Sequence, residues 1–259
     1  MARLLLRGTG LGDVEAVLFD KDGTLSISEP ELLTLAQARV LLCLEAIAPE
    51  QRSGLRPLLE GAYGLKASGL CPAGITAVAS RDHNLIATAT ALAQVGLGWP
   101  EALAISEAVF AASDQGDRRR SGEPGSTSNL TTGLRPLLEQ LHAAGVVCAV
   151  ISNDDRAGIE HFLASHGLGD LFAGFWSAEH RPRKPDPAAV HGLCAELGLA
   201  VGRCALIGDA NSDLQMAQAA GIPTQLCIGY MAGWSSPPPL AEPHPLIHHW
   251  SELGVVAAG

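Results

Sequence analysis

The sequence predicts a doubly wound α/β core, a mostly parallel sheet with helices on both faces, interrupted by an inserted bundle of helices. Three observations carry this. Over residues 133–228 short apolar runs of strand length alternate with segments of helix length, which is the pattern of a parallel sheet. A matching apolar run stands far upstream, at residues 14–19. Between the two lie helical segments in succession with no strand among them, as in a bundle.

Taken in order, residues 4–7 read as a short strand leading through Gly8-Thr9-Gly10 to the main one. Val14-Glu15-Ala16-Val17-Leu18-Phe19 is a run of small and branched residues, the composition of a strand buried on both faces. It stops abruptly at Asp20-Lys21-Asp22-Gly23-Thr24. Residues 29–47 place Leu32, Leu35, Ala36, Val40, Cys43, Leu44 and Ile47 at helical spacing and end before Pro49. Residues 51–63 read as a second helix and 69–74 as a loop. Residues 76–94 and 100–113 read as two further helices, with Pro100 well placed for a first helical position. Residues 116–129 mix Gly, Pro and Ser with an arginine run and read as a flexible linker. Beyond it the helices are expected at 134–144, 155–166, 187–197 and 212–220, the strands at 146–151, 172–177, 204–207 and 224–228. Asp186 caps the third of these helices, and Gly145, Gly167, Gly198 and Gly221 stand behind their ends. The expected organisation is a core of residues 1–25 and 132–259 and a helical insertion of residues 26–131, whose last part, 116–131, is the linker.

Composition narrows the partners. Of 259 residues, 47% are hydrophobic and 17% charged, enough for a packed core. A net charge of −10 disfavours nucleic acid and anionic membrane, both of which need a basic field. It leaves room for a small anionic substrate, because a local basic cluster can still focus one. None of the six cysteines forms a C-x-x-C pair, and Cys148, Cys204 and Cys227 lie inside apolar runs. No disulfide framework or zinc site is expected, and a reducing cytoplasm fits. The amino-terminal apolar stretch is too short for a signal peptide, and residues 85–97 are broken by Thr88, Thr90 and Gln94, so no membrane span is expected. Oligomeric state is not readable.

Polar residues cluster at the ends of the expected strands, where open α/β sheets carry their chemistry. In an extended chain Asp20 and Asp22 share a side and Lys21 points away. Two carboxylates held that close repel, and a hard divalent cation such as Mg²⁺ would relieve them. Ser152-Asn153 ends a second strand. A hydroxyl and a following N–H there can hold phosphate oxygens, or simply begin a turn. Lys184 lies in the proline-stiffened stretch 180–187, either as part of a solvated basic loop or reaching toward an anion. Gly208-Asp209 ends another strand, and Asp213 follows in the first turn of a helix, placed for a metal or for the helix's positive end.

These four elements in this order resemble the ordered motifs of the haloacid dehalogenase superfamily, in its phosphatase branch: Asp20 to Thr24, Ser152, Lys184, and Gly208 to Asp213. The insertion between the first and second matches the family's helical-bundle cap in position and helicity, and residues 245–253 look like its last strand and helix, with His248 and His249 as local structure. The resemblance implies a phosphatase acting on a small phosphate monoester. Asp20 would be the nucleophile and form an aspartyl-phosphate. Asp22 would be the general acid and base. Asp20, the Asp22 carbonyl, Asp209 and Asp213 would serve Mg²⁺. Thr24, Ser152, Asn153 and Lys184 would hold the phosphate. It also implies a cap that closes over Asp20 and reads the substrate, with Lys66, Arg81 and His83 as candidate contacts. Phosphoglycolate-like monoesters lead by analogy alone. A phosphomutase of the same superfamily and a non-catalytic phosphate-binding scaffold are the alternatives.

Overall fold

The computed structural model describes residues 2–121, 128–240 and 243–257. It divides into two compact units, residues 1–28 with 129–259, and residues 29–128.

In the first unit, β1 (Ala2–Leu6) and β2 (Thr9–Val14) form a hairpin. Its two-residue turn has positive φ at both positions, 48° at Arg7 and 82° at Gly8, the hand that suits twisted strands. The apolar run then becomes β3 (Ala16–Phe19), buried along its whole length. After the polar turn that follows it, β4 (Ser26–Ile27) is the last element before the chain leaves the unit.

The second unit holds α1 (Glu29–Glu45), α2 (Pro49–Tyr63), a small hairpin of β5 (Leu65–Lys66) and β6 (Gly69–Leu70), α3 (Ile75–Val78), α4 (Arg81–Gln94) and α5 (Trp99–Ser121). Its core is apolar, built on Ala36, Val40, Leu55, Leu59, Leu92 and Phe110. Two expectations change here. The helix expected at 76–94 is broken, because Ser80 has extended backbone and its hydroxyl accepts from the His83 N–H, which starts α4 afresh. The linker expected from Gly116 is helical as far as Ser121; residues 122–127 lie outside the described ones.

On returning, the chain forms β7 (Asn129–Leu130), which pairs antiparallel with β4. Both crossings are thereby tied to the first unit, so residues 26–28 and 129–131 belong with the core rather than with the insertion. Then follow α6 (Leu134–Ala143), β8 (Val147–Ile151), α7 (Arg156–Ser165), β9 (Gly174–Trp176), α8 (Pro187–Leu197), β10 (Cys204–Gly208), α9 (Asn211–Ala219), β11 (Cys227–Tyr230), β12 (Leu246–Ile247) and β13 (Leu253–Ala257). The expected closing helix is a single 3₁₀ turn at Trp250–Glu252. Beyond it β13 runs back to pair with β1.

The main sheet is six-stranded and parallel, in the order β12-β11-β10-β3-β8-β9. From β3 the chain fills one side with β8 and β9, then crosses to fill the other with β10, β11 and β12. β3 is therefore the switch point, and the crevice beyond its carboxyl end is where such sheets bind ligands. Phe19 is level with Val150 on one neighbour and with Ile207 on the other. The next residues of all three strands, Asp20, Ile151-Ser152 and Gly208-Asp209, thus emerge together.

Trp250 braces this end of the sheet from below. It is fully buried, stacks on Tyr230 at 4.3 Å and meets Phe19 edge-on at 6.0 Å. Its indole N–H donates to Thr131 Oγ1 at 2.8 Å, and that hydroxyl donates to the Thr24 carbonyl at 2.8 Å. Trp250→Ala should therefore lower unfolding free energy by about 3–5 kcal/mol, the usual cost of emptying a large aromatic site. Urea titration of the purified variant measures it, and a loss below about 1 kcal/mol would show that Trp250 braces nothing.

Candidate active site

Backbone hydrogen bonds set the turn after β3. Ser26 N–H donates to the Lys21 carbonyl at 3.0 Å and Gly23 N–H to the Ser26 carbonyl at 3.0 Å. Gly23 has a φ of 80°, a left-handed value that glycine adopts without strain. Asp20 N–H donates to the Ile207 carbonyl at 2.9 Å, which locks the first carboxylate beside the end of β10.

Three of the expected acidic residues converge there. One oxygen each of Asp20, Asp209 and Asp213 lies within 4.8 Å of the others, and all three residues are buried. Gly208 makes room: a Cβ there would come within 2.7 Å of the Asp213 Cβ. Lys184, itself only 5% exposed, pairs with Asp20 Oδ1 and Asp213 Oδ1, both at 2.7 Å, and donates to the Ile151 carbonyl at 3.3 Å. Of the two readings of Lys184, the structure selects the inward one. Asp213 also meets the start of α9, where its other oxygen accepts the Ala210 N–H at 3.4 Å.

Electrostatics follow from this crowding. Burial pushes the Asp20 carboxyl up to about 6, with Lys184 pulling against it and Asp213 and Asp22 adding to it. Burial, then the charges of Asp20 and Asp213, push Asp209 well above the usual carboxylate range. Burial works against the ammonium of Lys184, but Asp20 and Asp213 outweigh it and hold its pKa above the ordinary value. Carboxylates outnumber ammonium groups in the cluster, and the donor set is all oxygen. Those residues fit a hard divalent cation of the Mg²⁺ kind.

Asp22 stands apart from this cluster, and the expectation that Lys21 points away from it is corrected. The strand ends at Phe19, so the alternation of an extended chain no longer applies at residues 20–22. Lys21 is 7% exposed and turns back to pair with Asp22 Oδ1 at 2.6 Å and with Asp154 Oδ2 at 3.0 Å. Ser28 and Ser26 hydroxyls donate to the same Asp22 oxygen at 2.5 and 3.4 Å. Burial alone would raise the Asp22 pKa, but Lys21 and these hydroxyls outweigh it and hold it below the ordinary range.

Thr24, expected to face a phosphate, has its hydroxyl directed inward as a donor to Asp209 Oδ1 at 2.9 Å, and it is fully buried. Ser152 is buried at the mouth of β8, and its Oγ accepts the Asp154 N–H at 3.1 Å; Asn153 is half-buried beside it. Within the helical unit Arg81 is ion-paired with Asp114 at 2.7 Å, and Lys66 and His83 are exposed. Sequence reasoning missed Lys21, Asp154 and Trp234, whose indole N–H donates to Asp209 Oδ2 at 2.6 Å. For Lys21 the available signal was a charged residue inside the Asp-x-Asp pair. For the other two no local pattern exists.

A parallel sheet that gathers carboxylates and one lysine at its switch point has its polar chemistry where open α/β sheets bind ligands. A family profile described as haloacid dehalogenase-like hydrolase matches residues 14–221. The chain belongs to that family. It is 30% identical over 129 residues to a phosphoglycolate phosphatase of Photobacterium profundum, a match covering 49% of this chain and 55% of that protein. The chain thus spans about half the length of that curated relative. Two solved structures share the fold. One is a predicted phosphoglycolate phosphatase from Haemophilus somnus, with a TM-score of 0.66 and 21% identity over 94% of this chain and 97% of that one. The other is a β-phosphoglucomutase from Clostridium difficile, with a TM-score of 0.55 and 16% identity over 84% of each chain. Among the described residues no helix is long and apolar enough to cross a membrane.

Two predictions follow from the charges. The Asp20 carboxyl stands at about 6 against an ordinary 3.8. A raised carboxyl pKa stabilises fully below the ordinary value, and that stabilisation is lost as pH climbs through 6. In metal-free protein Asp20 should therefore cost stability as pH rises across that window, and bound Mg²⁺ should offset it. At one fixed Mg²⁺ concentration, about 100 times the dissociation constant at pH 7, the rise in Tm should be roughly 5–10 °C near pH 7 and smaller near pH 5, where protonated Asp20 weakens binding. Differential scanning fluorimetry at both pH values checks it, and an increment that does not grow with pH contradicts it. Separately, Lys21→Met leaves Asp22 and Asp154 facing each other without a cation. Because both keep about a quarter of their side-chain surface, the expected loss is roughly 2–4 kcal/mol rather than that of a fully buried pair. Chemical denaturation measures it.

Proposed function

We propose that this chain is a Mg²⁺-dependent phosphatase that hydrolyses a small phosphate monoester through an aspartyl-phosphate on Asp20. The observation that carries the reading is the placement of Asp20: a buried carboxylate at the end of the central strand, paired with Lys184 and within cation-sharing distance of Asp209 and Asp213.

An ionised Asp20 attacking a phosphate dianion meets repulsion. A divalent cation held by Asp20, the Asp22 carbonyl, Asp209 and Asp213 supplies charge neutralisation when bound. Lys184 contributes on the protein side, its ammonium lying beside the attacking oxygen, where it can donate to an equatorial phosphate oxygen. Ser152 and Asn153, at the mouth of the neighbouring strand, are assigned to the same anion. Thr24 is reassigned from the phosphate to the Asp209 carboxylate.

Asp22 is assigned the proton transfers. Its pairing with Lys21 favours the ionised form, which fits the base half of the cycle, taking a proton from the water that opens the aspartyl-phosphate. The acid half needs a protonated Asp22, and the contacts to Lys21, Ser26 and Ser28 oppose that. A rotation that frees Asp22 from Lys21 is therefore part of the proposed cycle. A phosphomutase would share all these residues and differ in the acceptor, a sugar hydroxyl in place of water. The likeness to a phosphoglucomutase concerns the fold, while the relative at 30% identity is a phosphatase, so hydrolysis is the reading preferred here. Phosphoglycolate is the first substrate to try, and free cysteines throughout support work in a reducing cytoplasm.

The decisive experiment is a panel of phosphorylated metabolites with Mg²⁺, run on wild type and on Asp20→Asn. Wild type should release inorganic phosphate and lose activity in excess chelator. Asp20→Asn, nearly isosteric but a poor nucleophile, should fold normally and fall by at least about 10³-fold, the scale set by losing a covalent nucleophile. A folded Asp20→Asn with near wild-type turnover, or full activity in chelator, would refute the mechanism.

A further inference from the structure

Trp234 lies outside the strand-end motifs, in the loop that follows β11, yet it is 7% exposed. Its indole Nε1 donates to Asp209 Oδ2 at 2.6 Å, while Thr24 Oγ1 donates to Asp209 Oδ1 at 2.9 Å. Each oxygen of this carboxylate therefore carries one fixed protein donor and keeps acceptor capacity for a cation.

The approach is built in. A Cβ at Gly23 would collide with the indole Nε1 and fall 2.6 Å from Asp209 Oδ2, and a Cβ at Gly233 would collide with the Gly23 carbonyl. The loop reaches Asp209 because Gly23 and Gly233 present no side chains where it passes.

We propose that Trp234 is a positioning residue for the divalent cation, holding Asp209 so that its remaining lone pair faces the oxygens of Asp20 and Asp213. This rests on the cation reading of those three aspartates. The physical need is clear from their charges. A carboxylate crowded by two others lowers its energy by swinging away from them, and a cation must then bring it back on binding. Donors on both Asp209 oxygens fix its rotation beforehand, so less reorganisation accompanies binding. Hydrogen-bond partners of metal ligands are typically worth about 10–100-fold in metal affinity.

The test is Mg²⁺ binding by isothermal titration calorimetry on the full chain without substrate, so the readout is affinity and not turnover. Three replacements of Trp234 are compared: Phe, the benzothienyl analogue of tryptophan, which keeps the indole shape and replaces the N–H by sulfur, and a fluorinated tryptophan that keeps the N–H. The first two should weaken Mg²⁺ binding by about 10–100-fold, and the third should bind like wild type. The benzothienyl analogue keeps the test valid if Trp234→Phe misfolds. Retention of wild-type affinity by the folded benzothienyl protein overturns the proposal. Asp209→Ala serves as the reference. If it too binds Mg²⁺ like wild type, the cation reading itself fails and this proposal with it. If it loses binding while the benzothienyl protein does not, the role of Trp234 alone is wrong.

Discussion

Like charges confined at the mouth of one buried sheet set the terms for the rest of this structure. Asp20, Asp209 and Asp213 bring their oxygens within 4.8 Å of one another, in positions where water cannot screen them. Such an arrangement persists only if opposite charge and hydrogen-bond donors are fixed around it. Lys184 supplies an ammonium, Thr24 and Trp234 supply donors to Asp209, and the Ala210 N–H supplies one to Asp213. Burial first, and then the neighbouring carboxylates, still raise the Asp20 pKa to about 6 against the pull of Lys184. The proposed divalent cation would complete the balance, and the same positive charge would serve the proposed attack of Asp20 on a phosphate.

A second set of charges, built on Lys21, holds Asp22. Lys21 pairs with Asp22 and Asp154, so the residue between the two aspartates of the motif serves one of them rather than pointing into solvent. The two aspartates, alike in sequence, are thereby given different environments. Asp20 is raised by burial, and Asp22 is lowered by its ammonium and hydroxyl partners. Opposed shifts in neighbouring carboxyls are what the proposed division into a nucleophile and a proton carrier would use.

The fold accomplishes this by register. Parallel pairing of β3 with β8 and β10 brings three strand ends level, and the crossing of the chain at β3 opens the crevice above them. Below, the path from Trp250 through Thr131 to the Thr24 carbonyl ties the turn of the motif to the core. The chain's excursion through α1 to α5 leaves and returns on the β4–β7 pair, so the turn after β3 is clamped close to both crossings.

Much of this was legible in the sequence. Apolar runs that end in Asp20, Ser152 and Asp209 declare buried strands with polar mouths, because burial on both faces removes every polar residue until the strand stops. Asp186 and Gly198 mark both ends of α8 through capping chemistry that acts within a few residues. The break at Ser80, the length of α5 and the return of β13 to β1 were not legible. A serine between helical segments, a polar helix end and a short terminal apolar run each fit more than one local structure, and only packing chooses. The same limit applies to side-chain pairing. Lys184 and Asp20 are 164 positions apart, and Trp234 stands in a loop of Gly, Ser and Pro that reads as surface. Periodicity and capping record what a residue owes its neighbours in the chain. Which carboxylate Lys21 turns to, and which oxygen Thr24 and Trp234 hold, depends on distances that exist only once the strands are in register.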